Sequence, residues 1–245
     1  MIEDLQNYYS ENGILSTSFT CAYKSQCQSD CSEFTGPKSA FVSSGYEEHS
    51  LPRLLFLSLD SGSGDKNNIN RMPLSVRQQE EIDRDVLSLH KHKHWYRTHE
   101  LAWYIFRHFD EDIKIQEAKK YFSHANSAKC CMNKAQRRKA NAVLFKNCKR
   151  YLRGELLILS PEIIITQGNE AKEAIWSLRK KIIERIDEFA SVIKLNNKQV
   201  FWLHTYHPNN WGAFNKQRNF DKTNDIALGW VRYSGLMYEF MQKNA

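Results

Sequence analysis

The sequence predicts a three-layer α/β/α sandwich whose central sheet is four-stranded and mostly parallel. Three observations predict it. Short apolar runs end in polar turn residues, a helical pattern follows each run, and strands that alternate with helices pair in parallel through right-handed crossovers. The 245 residues are 41% hydrophobic and 26% charged, which is typical of a folded chain. We therefore expect a single domain over residues 1–245.

The first half of the chain predicts two strands and two helices. Leu54–Leu59 is an apolar run too short for a helix, and it stops at the turn sequence Asp-Ser-Gly. A Pro and a Ser precede a helical pattern over 74–90, and residues 98–109 predict a helix with an aromatic side. Residues 121–128 predict the second strand. Residues 1–50 carry three Cys and little periodicity, which predicts a loop-rich N-terminal flap.

The second half predicts two more strands and three helices. Apolar residues recur every three or four positions over 144–159, which is the pattern of a helix with one buried side. Residues 162–168 are the third apolar strand, and a charged amphipathic helix follows to about Phe189. Residues 200–208 predict the fourth strand, which ends in His and Pro. The last predicted helix covers 225–241.

Polar residues stand at the carboxyl ends of these strands. Ligands of open parallel sheets bind beyond those ends, so the residues there are candidate site residues. Each also has a purely structural interpretation, such as an Asx turn for Asp60 or a turn amide for Asn126. The candidates are Asp60, Asn126 with Lys129, Gly168, and His204 with His207.

The charge indicates a polyanionic partner. The formal net charge is +7, and basic residues cluster between Lys134 and Arg153. Such an excess attracts nucleic acid, although the cluster is also typical of the solvated face of a helix. No apolar run approaches the roughly 20 residues of a membrane span, and the N-terminus lacks a signal-peptide profile. We expect a soluble, cytoplasmic monomer that binds DNA and no membrane.

The six cysteines form an early group and a late group. In a reducing compartment, groups of this kind hold metal more often than they form disulfides. They indicate a four-thiolate site built from two distant pairs, without identifying the metal. The two groups are Cys21, Cys27 and Cys31, then Cys130, Cys131 and Cys148.

Several motifs, taken in order, resemble the iron–sulfur uracil-DNA glycosylases. The "LSLDSG" stretch lies where the first motif of that family follows strand one, and Tyr206-His207-Pro208 resembles its late His-Pro motif. Between them, further matching residues follow one another at close to the family spacing. These residues are Asn126, Lys129-Cys130, Cys148, Tyr151-Leu152, Pro161, Ile164 and Gly168.

The resemblance implies a monofunctional DNA glycosylase that hydrolyses the N-glycosidic bond of a flipped-out base. It implies that Asn126 reads the base edge, that His207 donates to the departing base, and that Asp60 orients water or offsets the positive charge of the sugar. Further residues would approach the base or enter the minor groove. They are Ser61, Gly62, Ser63, Gly168, Asn209 and Trp211.

The resemblance also implies a [4Fe–4S] cluster, with zinc as the alternative occupant of four thiolates. The expected ligands are Cys27, Cys31, Cys130 and Cys148. Cys131 competes with Cys130, and Cys21 competes with Cys27, because the spacing fits either choice.

One family feature is missing from the sequence. The Gly-Arg-Pro-Phe-like run whose Phe stacks on uracil is replaced by "DKNNINRMPLS" and later "HKHKHW", which we interpret as DNA-facing or merely exposed. A pocket without that Phe predicts a target of uracil or a bulkier modified pyrimidine. A hypermodified base of phage DNA, and hence a defence role, is the further hypothesis. The alternative is a non-catalytic iron–sulfur protein that binds nucleic acid.

Overall fold

The computed structural model describes residues 1–15, 19–28, 34–62, 67–88, 93–132, 142–208 and 226–244. The helices are α1 (Ile2–Glu11), α2 (Lys24–Gln28), α3 (Ser44–Glu48), α4 (Pro73–Arg77), α5 (Lys93–Phe106), α6 (Ala142–Leu159), α7 (Asn169–Leu178) and α8 (Ile226–Asn244). The strands are β1 (Phe34–Thr35), β2 (Phe41–Val42), β3 (Leu54–Asp60), β4 (Phe122–Ala128), β5 (Cys131–Met132), β6 (Ile163–Gln167), β7 (Lys181–Arg185), β8 (Ala190–Leu195) and β9 (Lys198–Thr205).

The central sheet has seven strands in the order β2-β4-β3-β6-β9-β8-β7. Its middle four strands, β4, β3, β6 and β9, pair in parallel, and they coincide with the four predicted strands. The predicted number of strands is wrong because three antiparallel strands extend the edges. Strand β2 has only two residues, which is too short for a sequence pattern. Strand β7 arises where the sequence predicted a helix, and β8 covers residues for which no element was predicted.

The predicted helix over 169–189 ends early, at Leu178. Ile182, Ile186 and Phe189 continue a helical spacing of three to four residues, which explains the prediction. The turn between β8 and β9 favours strands instead, because Asn196 and Asn197 have φ of 48° and 71°. Two consecutive residues with positive φ form the tight turn that joins antiparallel strands. Strands β7 and β8 therefore extend the sheet beyond β9.

Three other helices differ from the predictions. The pattern over 74–90 produces only α4 and a following π-helical turn, Gln78–Asp83, after which Arg84 is extended. Helix α5 begins at Lys93, earlier than predicted, and so includes the end of "HKHKHW". Helix α1 was not predicted at all. Its Leu5 and Tyr9 are fully buried, so part of the N-terminal segment packs into the fold.

Helices cover both faces of the sheet, which gives the predicted three layers. Alternate strand residues face opposite sides. One side, the α5 face, packs against α5 and α8 through residues such as Phe56 and Phe201. The other, the α6 face, packs against α1, α6 and α7 through residues such as Leu57 and Trp202. Full burial of each large side chain contributes about 1.5–3 kcal/mol.

The turn between β6 and α7 requires glycine at position 168. Gly168 has φ of +108°, and an added Cβ would lie 2.9 Å from Cδ2 of Leu59. We expect Gly168→Ala to lower the free energy of unfolding by about 2 kcal/mol or more, since backbone strain and steric overlap act together. Urea denaturation measures this effect. Gly235→Ala is the matched control, because no atom lies within 4 Å of its added Cβ. In helix α8 that change should stabilise by about 0.5–1 kcal/mol.

Candidate active site

Polar side chains replace apolar ones on the α5 face as the parallel strands approach their carboxyl ends. Strand β3 carries Ser58, β4 carries His124 and Asn126, and β6 ends at Gln167. Ser58 lies directly opposite Asn126 in the register of the sheet. All four side chains are at least nine-tenths buried. The sheet therefore presents a polar row at one edge, with an apolar core beneath it.

Hydrogen bonds connect most of this row to α5. The Ser58 hydroxyl donates to Oε1 of Gln167 (2.6 Å) and lies 2.8 Å from Nε2 of His124. Because its single proton is already used, Nε2 of His124 is the donor in that second bond. Gln167 Nε2 donates to Oγ1 of Thr98 (3.0 Å), which in turn donates to the carbonyl of His94 (2.9 Å). This buried chain holds the start of α5 against the strand ends.

Asn126 differs from its neighbours because its amide is not used by the fold. The residue is 6% exposed, and its side chain makes no hydrogen bond to another residue within the described ranges. Its amide atoms are not among the fully enclosed polar atoms that lack a partner, so they remain accessible at this edge of the sheet. One amide offers both a donor and an acceptor, which suits the edge of a nucleobase.

The remaining strand-tip candidates occupy different places. Asp60 is the last residue of β3, with its Cα opposite Ala128. Gly168 follows β6, and its N–H donates to the carbonyl of Thr205 (3.0 Å). His204 belongs to the α6 face, where its Nδ1 lies 3.3 Å from Oγ1 of Thr166. The sheet therefore separates His204 from Asn126.

Three histidines and a tryptophan meet above the polar row. The ring centroid of His94 lies 4.9 Å from that of His207 and 6.4 Å from that of His124. The Trp95 ring lies 5.0 Å from His124, and the Arg84 guanidinium lies 4.7 Å over the indole. Through His94, helix α5 thus contacts both β4, which carries Asn126, and the segment after β9, which carries His207.

The imidazoles of His94, His99 and His124 are neutral at pH 7. Burial lowers the pKa of His94 to about 3, with a further contribution from His207. Burial also lowers the pKa of His99 to about 4 and holds the pKa of His124 well below its usual range. A neutral imidazole carries one donor and one acceptor, so these rings can form directed hydrogen bonds without adding charge.

A buried arginine holds the segment after β3. Arg71 is 2% exposed and donates from Nη2 to the hydroxyl of Ser61 (2.7 Å) and from Nε to the carbonyl of Pro37 (3.0 Å). Gly62 follows with φ of +63°, a conformation that favours glycine. Ser61 and Gly62 are therefore anchored beside the end of β3.

Four cysteines from three parts of the chain line one cavity. They are Cys21, Cys27, Cys130 and Cys148. Cys131 does not line it, since Cys131 pairs with Thr35 in the small β1–β5 sheet. Burial raises the pKa of Cys148 to about 11 and also raises the pKa values of Cys27 and Cys130. Within the described ranges, no three His, Cys, Asp or Glu side chains are placed to hold a single metal ion.

The surroundings of this cavity suit sulfur ligands. The backbone N–H of Lys129 donates to Sγ of Cys148 (3.4 Å), and the Asn147 amide donates to Sγ of Cys27 (3.5 Å). Such N–H donors stabilise the negative charge of bound thiolates. The cavity therefore combines four cysteines with two N–H donors to sulfur.

Some predicted residues cannot be placed. Ser63, Asn209, Trp211 and Cys31 lie outside the described residues. His90 and His92 also lie outside them, while His94 is partly buried and contacts other rings. His94 is therefore not merely exposed, and its interpretation as DNA-facing stays a prediction.

Sequence reasoning missed several residues that the structure brings to this edge. They are Ser58, Arg71, His94, Trp95, His124 and Gln167. Strand alternation from Asn126 would have found His124, and the same alternation applied to β3 and β6 would have found Ser58 and Gln167. No local pattern identifies Arg71 or His94, since their contacts join distant segments.

Comparison with known proteins places the chain in a family. The model of the Uracil DNA glycosylase superfamily matches residues 52–227. The chain belongs to the uracil DNA glycosylase superfamily. No curated protein matches it in sequence.

The superfamily match covers the strand tips and the late cysteines. It includes Asp60, Asn126, His207, Cys130 and Cys148 and leaves out the early cysteines. Uracil DNA glycosylase superfamily proteins are in general hydrolytic DNA glycosylases, and they act on DNA. In the part of the chain that the structure describes, no helix has the length and apolar character to cross a bilayer.

The buried imidazoles predict that this superfamily member is sensitive to acid. His99 is 1% exposed, and its lowered pKa means that the unfolded chain takes up a proton below about pH 6.5 while the folded chain does not. The free energy of unfolding should therefore fall as the pH drops from 7 to 5, by about 2 kcal/mol for this residue alone. His99→Gln should reduce the loss by that amount in urea denaturation at the two pH values. An equal reduction in His49→Gln, which changes an exposed histidine, would contradict this origin.

Proposed function

We propose that this protein is a monofunctional DNA glycosylase that removes uracil or a modified pyrimidine and leaves an abasic site. The observation that carries the proposal is the amide of Asn126, which lies at the carboxyl edge of the parallel strands and has no hydrogen-bond partner among the described residues. Membership of the superfamily and the net charge of +7 support DNA as the substrate. We propose that the protein acts as a monomer.

The reaction assigns one role to each strand-tip residue. The enzyme flips the nucleotide out of the duplex, and Asn126 binds the edge of its base. The bond between C1′ and the base nitrogen breaks, and its electron pair leaves on the base, where His207 stabilises the developing charge by donating a hydrogen bond. Water then bonds to C1′. Asp60 orients that water, accepts its proton and offsets the positive charge of the sugar.

The absence of the stacking Phe supports a base larger than uracil as a substrate. Part of the sequence that replaces the stacking Phe of related glycosylases now forms the start of α5, where His94 and Trp95 meet β4. We propose a modified pyrimidine as the preferred target. The most heavily modified candidate is a hypermodified base of phage DNA, and removal of such a base would give the protein a defence role.

Excision by the unaltered protein and its Asn126→Ala variant tests the glycosylase proposal. We expect alkali-labile abasic sites at uracil or a 5-substituted pyrimidine, and a rate at least about 100-fold lower in the variant, because the base loses its orienting contacts. Asn244→Ala in α8 is the matched control. Product formation is measured on labelled duplexes with and without alkali.

The same assay separates catalysis from simple binding. A non-catalytic binder would show salt-dependent DNA affinity and no abasic product with any base, and it would be indifferent to Asn126→Ala. That outcome would refute the enzymatic proposal.

We also propose that the cysteine cavity holds a [4Fe–4S] cluster, with Cys21, Cys27, Cys130 and Cys148 as its ligands. This set replaces Cys31 of the sequence prediction with Cys21. Four thiols lining one cavity and two N–H donors to sulfur support the choice. When bound, the cluster would supply structural cross-linking, because its ligands come from the N-terminal segment, the end of β4 and helix α6. The Asn147 amide would then hold Cys27 in place.

Iron content tests the ligand set. We expect about four iron atoms per chain in the anaerobically purified protein. Cys21→Ala and Cys148→Ala should lose most of this iron, while Cys131→Ala should retain it. Zinc in place of iron, or unchanged iron in Cys21→Ala, would contradict the assignment. Metal analysis and the visible absorbance of the protein provide the readout.

A further inference from the structure

His94 is a second polar side chain at the strand tips that the fold leaves unused. Its ring is partly buried, and its two nitrogens make no hydrogen bond to any residue in the ranges that the structure describes. Its contacts are ring contacts with Trp95, His124 and His207. The neighbouring His99, by comparison, is bonded from Nδ1 to the carbonyl of Trp95 (2.7 Å).

The position of His94 relates it to the base site proposed above. On one side it contacts His207, the proposed donor to the departing base. On the other it contacts His124, which precedes Asn126 by two residues and so shares its face of β4. His94 therefore contacts the proposed donor to the departing base and also the face of β4 that carries Asn126.

Its neighbours are already committed to other partners. The Trp95 ring is covered by Arg84 on one side and contacts His124. The His124 nitrogen Nε2 is bonded to Ser58. The start of α5 is held by the buried chain from Ser58 through Gln167 and Thr98 to the carbonyl of His94. The position of the His94 ring is thus fixed by its helix, while its two nitrogens have no hydrogen-bond partner among the described residues.

We propose that His94 contacts the substrate and determines which base fits, by binding a hydrogen-bonding substituent of the pyrimidine ring. This inference rests on the proposed glycosylase function. A neutral imidazole can donate to a substituent oxygen or accept from a hydroxyl, and it leaves more room than a phenyl ring would. The substrate class is therefore a pyrimidine with a polar substituent at C5, such as a hydroxymethyl group.

Equilibrium binding to uncleavable DNA tests this role separately from catalysis. The probes are duplexes with one 2′-fluoro nucleotide, which resists hydrolysis, carrying either uracil or 5-hydroxymethyluracil. We expect the unaltered protein to bind the hydroxymethyl base about tenfold more tightly, as one added hydrogen bond in a dry site allows. His94→Phe keeps a ring but removes both nitrogens, so the preference should disappear. His94→Gln, which restores a donor and an acceptor, should recover part of it.

His49→Phe is the matched control, since His49 is exposed and pairs with Glu162 near the opposite ends of the strands. It should keep the tenfold preference. In the unaltered protein, the ring ¹⁵N signals of His94 should shift more with the hydroxymethyl duplex than with the uracil duplex, which tests the contact even if His94→Phe does not fold.

The outcomes distinguish this inference from the proposed function. Equal preferences in the unaltered protein and His94→Phe, no preference in either, or equal ¹⁵N shifts with both duplexes would overturn the role of His94. A preference that depends on His94, together with no abasic sites in the cleavable duplexes, would instead support the contact and refute the glycosylase proposal.

Discussion

A buried ion pair is the interaction on which the arrangement of both sites depends. Nζ of Lys129 lies 2.6 and 2.5 Å from the two carboxylate oxygens of Glu155, and both residues are almost fully buried. Removing two charges from water costs several kcal/mol each, so the pair is stable only while both partners stay in place. Tyr9 donates to the same carboxylate, and its hydroxyl accepts from the N–H of Ala40 (3.1 Å). One pair of charges therefore holds α1, α6 and the end of β4 together.

The ion pair stands between the base site and the cysteine cavity. Lys129 follows Asn126 by three residues and precedes Cys130 by one, and its own backbone N–H bonds to Cys148. The side chain of Lys129 thus fixes α6 at Glu155, while its main chain fixes the same helix about two turns earlier, at Cys148. A movement of α6 would displace the end of β4, and Asn126 would move with it. Asn126, Lys129 and Cys130 therefore belong to one fixed strand end, which contributes to both the base site and the cysteine cavity.

Sequence reasoning found the parts of this arrangement that depend on local pattern. Three of the four parallel strands were predicted because they are short apolar runs that end in polar residues, whereas β4 is largely polar. Parallel pairing then places Asp60, Asn126 and Gly168 at one edge. Strand β7 was missed because the spacing of Ile182 and Ile186 fits a helix. Strand β8 was missed because the turn at Asn196, which joins β8 to β9, was not recognised. Cys21 was a known alternative, but only the fold could bring it to the cavity that Cys130 and Cys148 line.

The site itself could be predicted only in part, because the chain order does not show which polar groups the fold satisfies. Ser58, His124 and Gln167 lie at the strand tips as Asn126 does, yet they bond to one another and to α5. Their polarity is used to hold the scaffold. Each satisfied buried group contributes about 1 kcal/mol, so these bonds stabilise the scaffold. The side chains of Asn126 and His94, by contrast, form no hydrogen bond within the described ranges, and no pattern in the sequence distinguishes these two polar residues from the bonded ones.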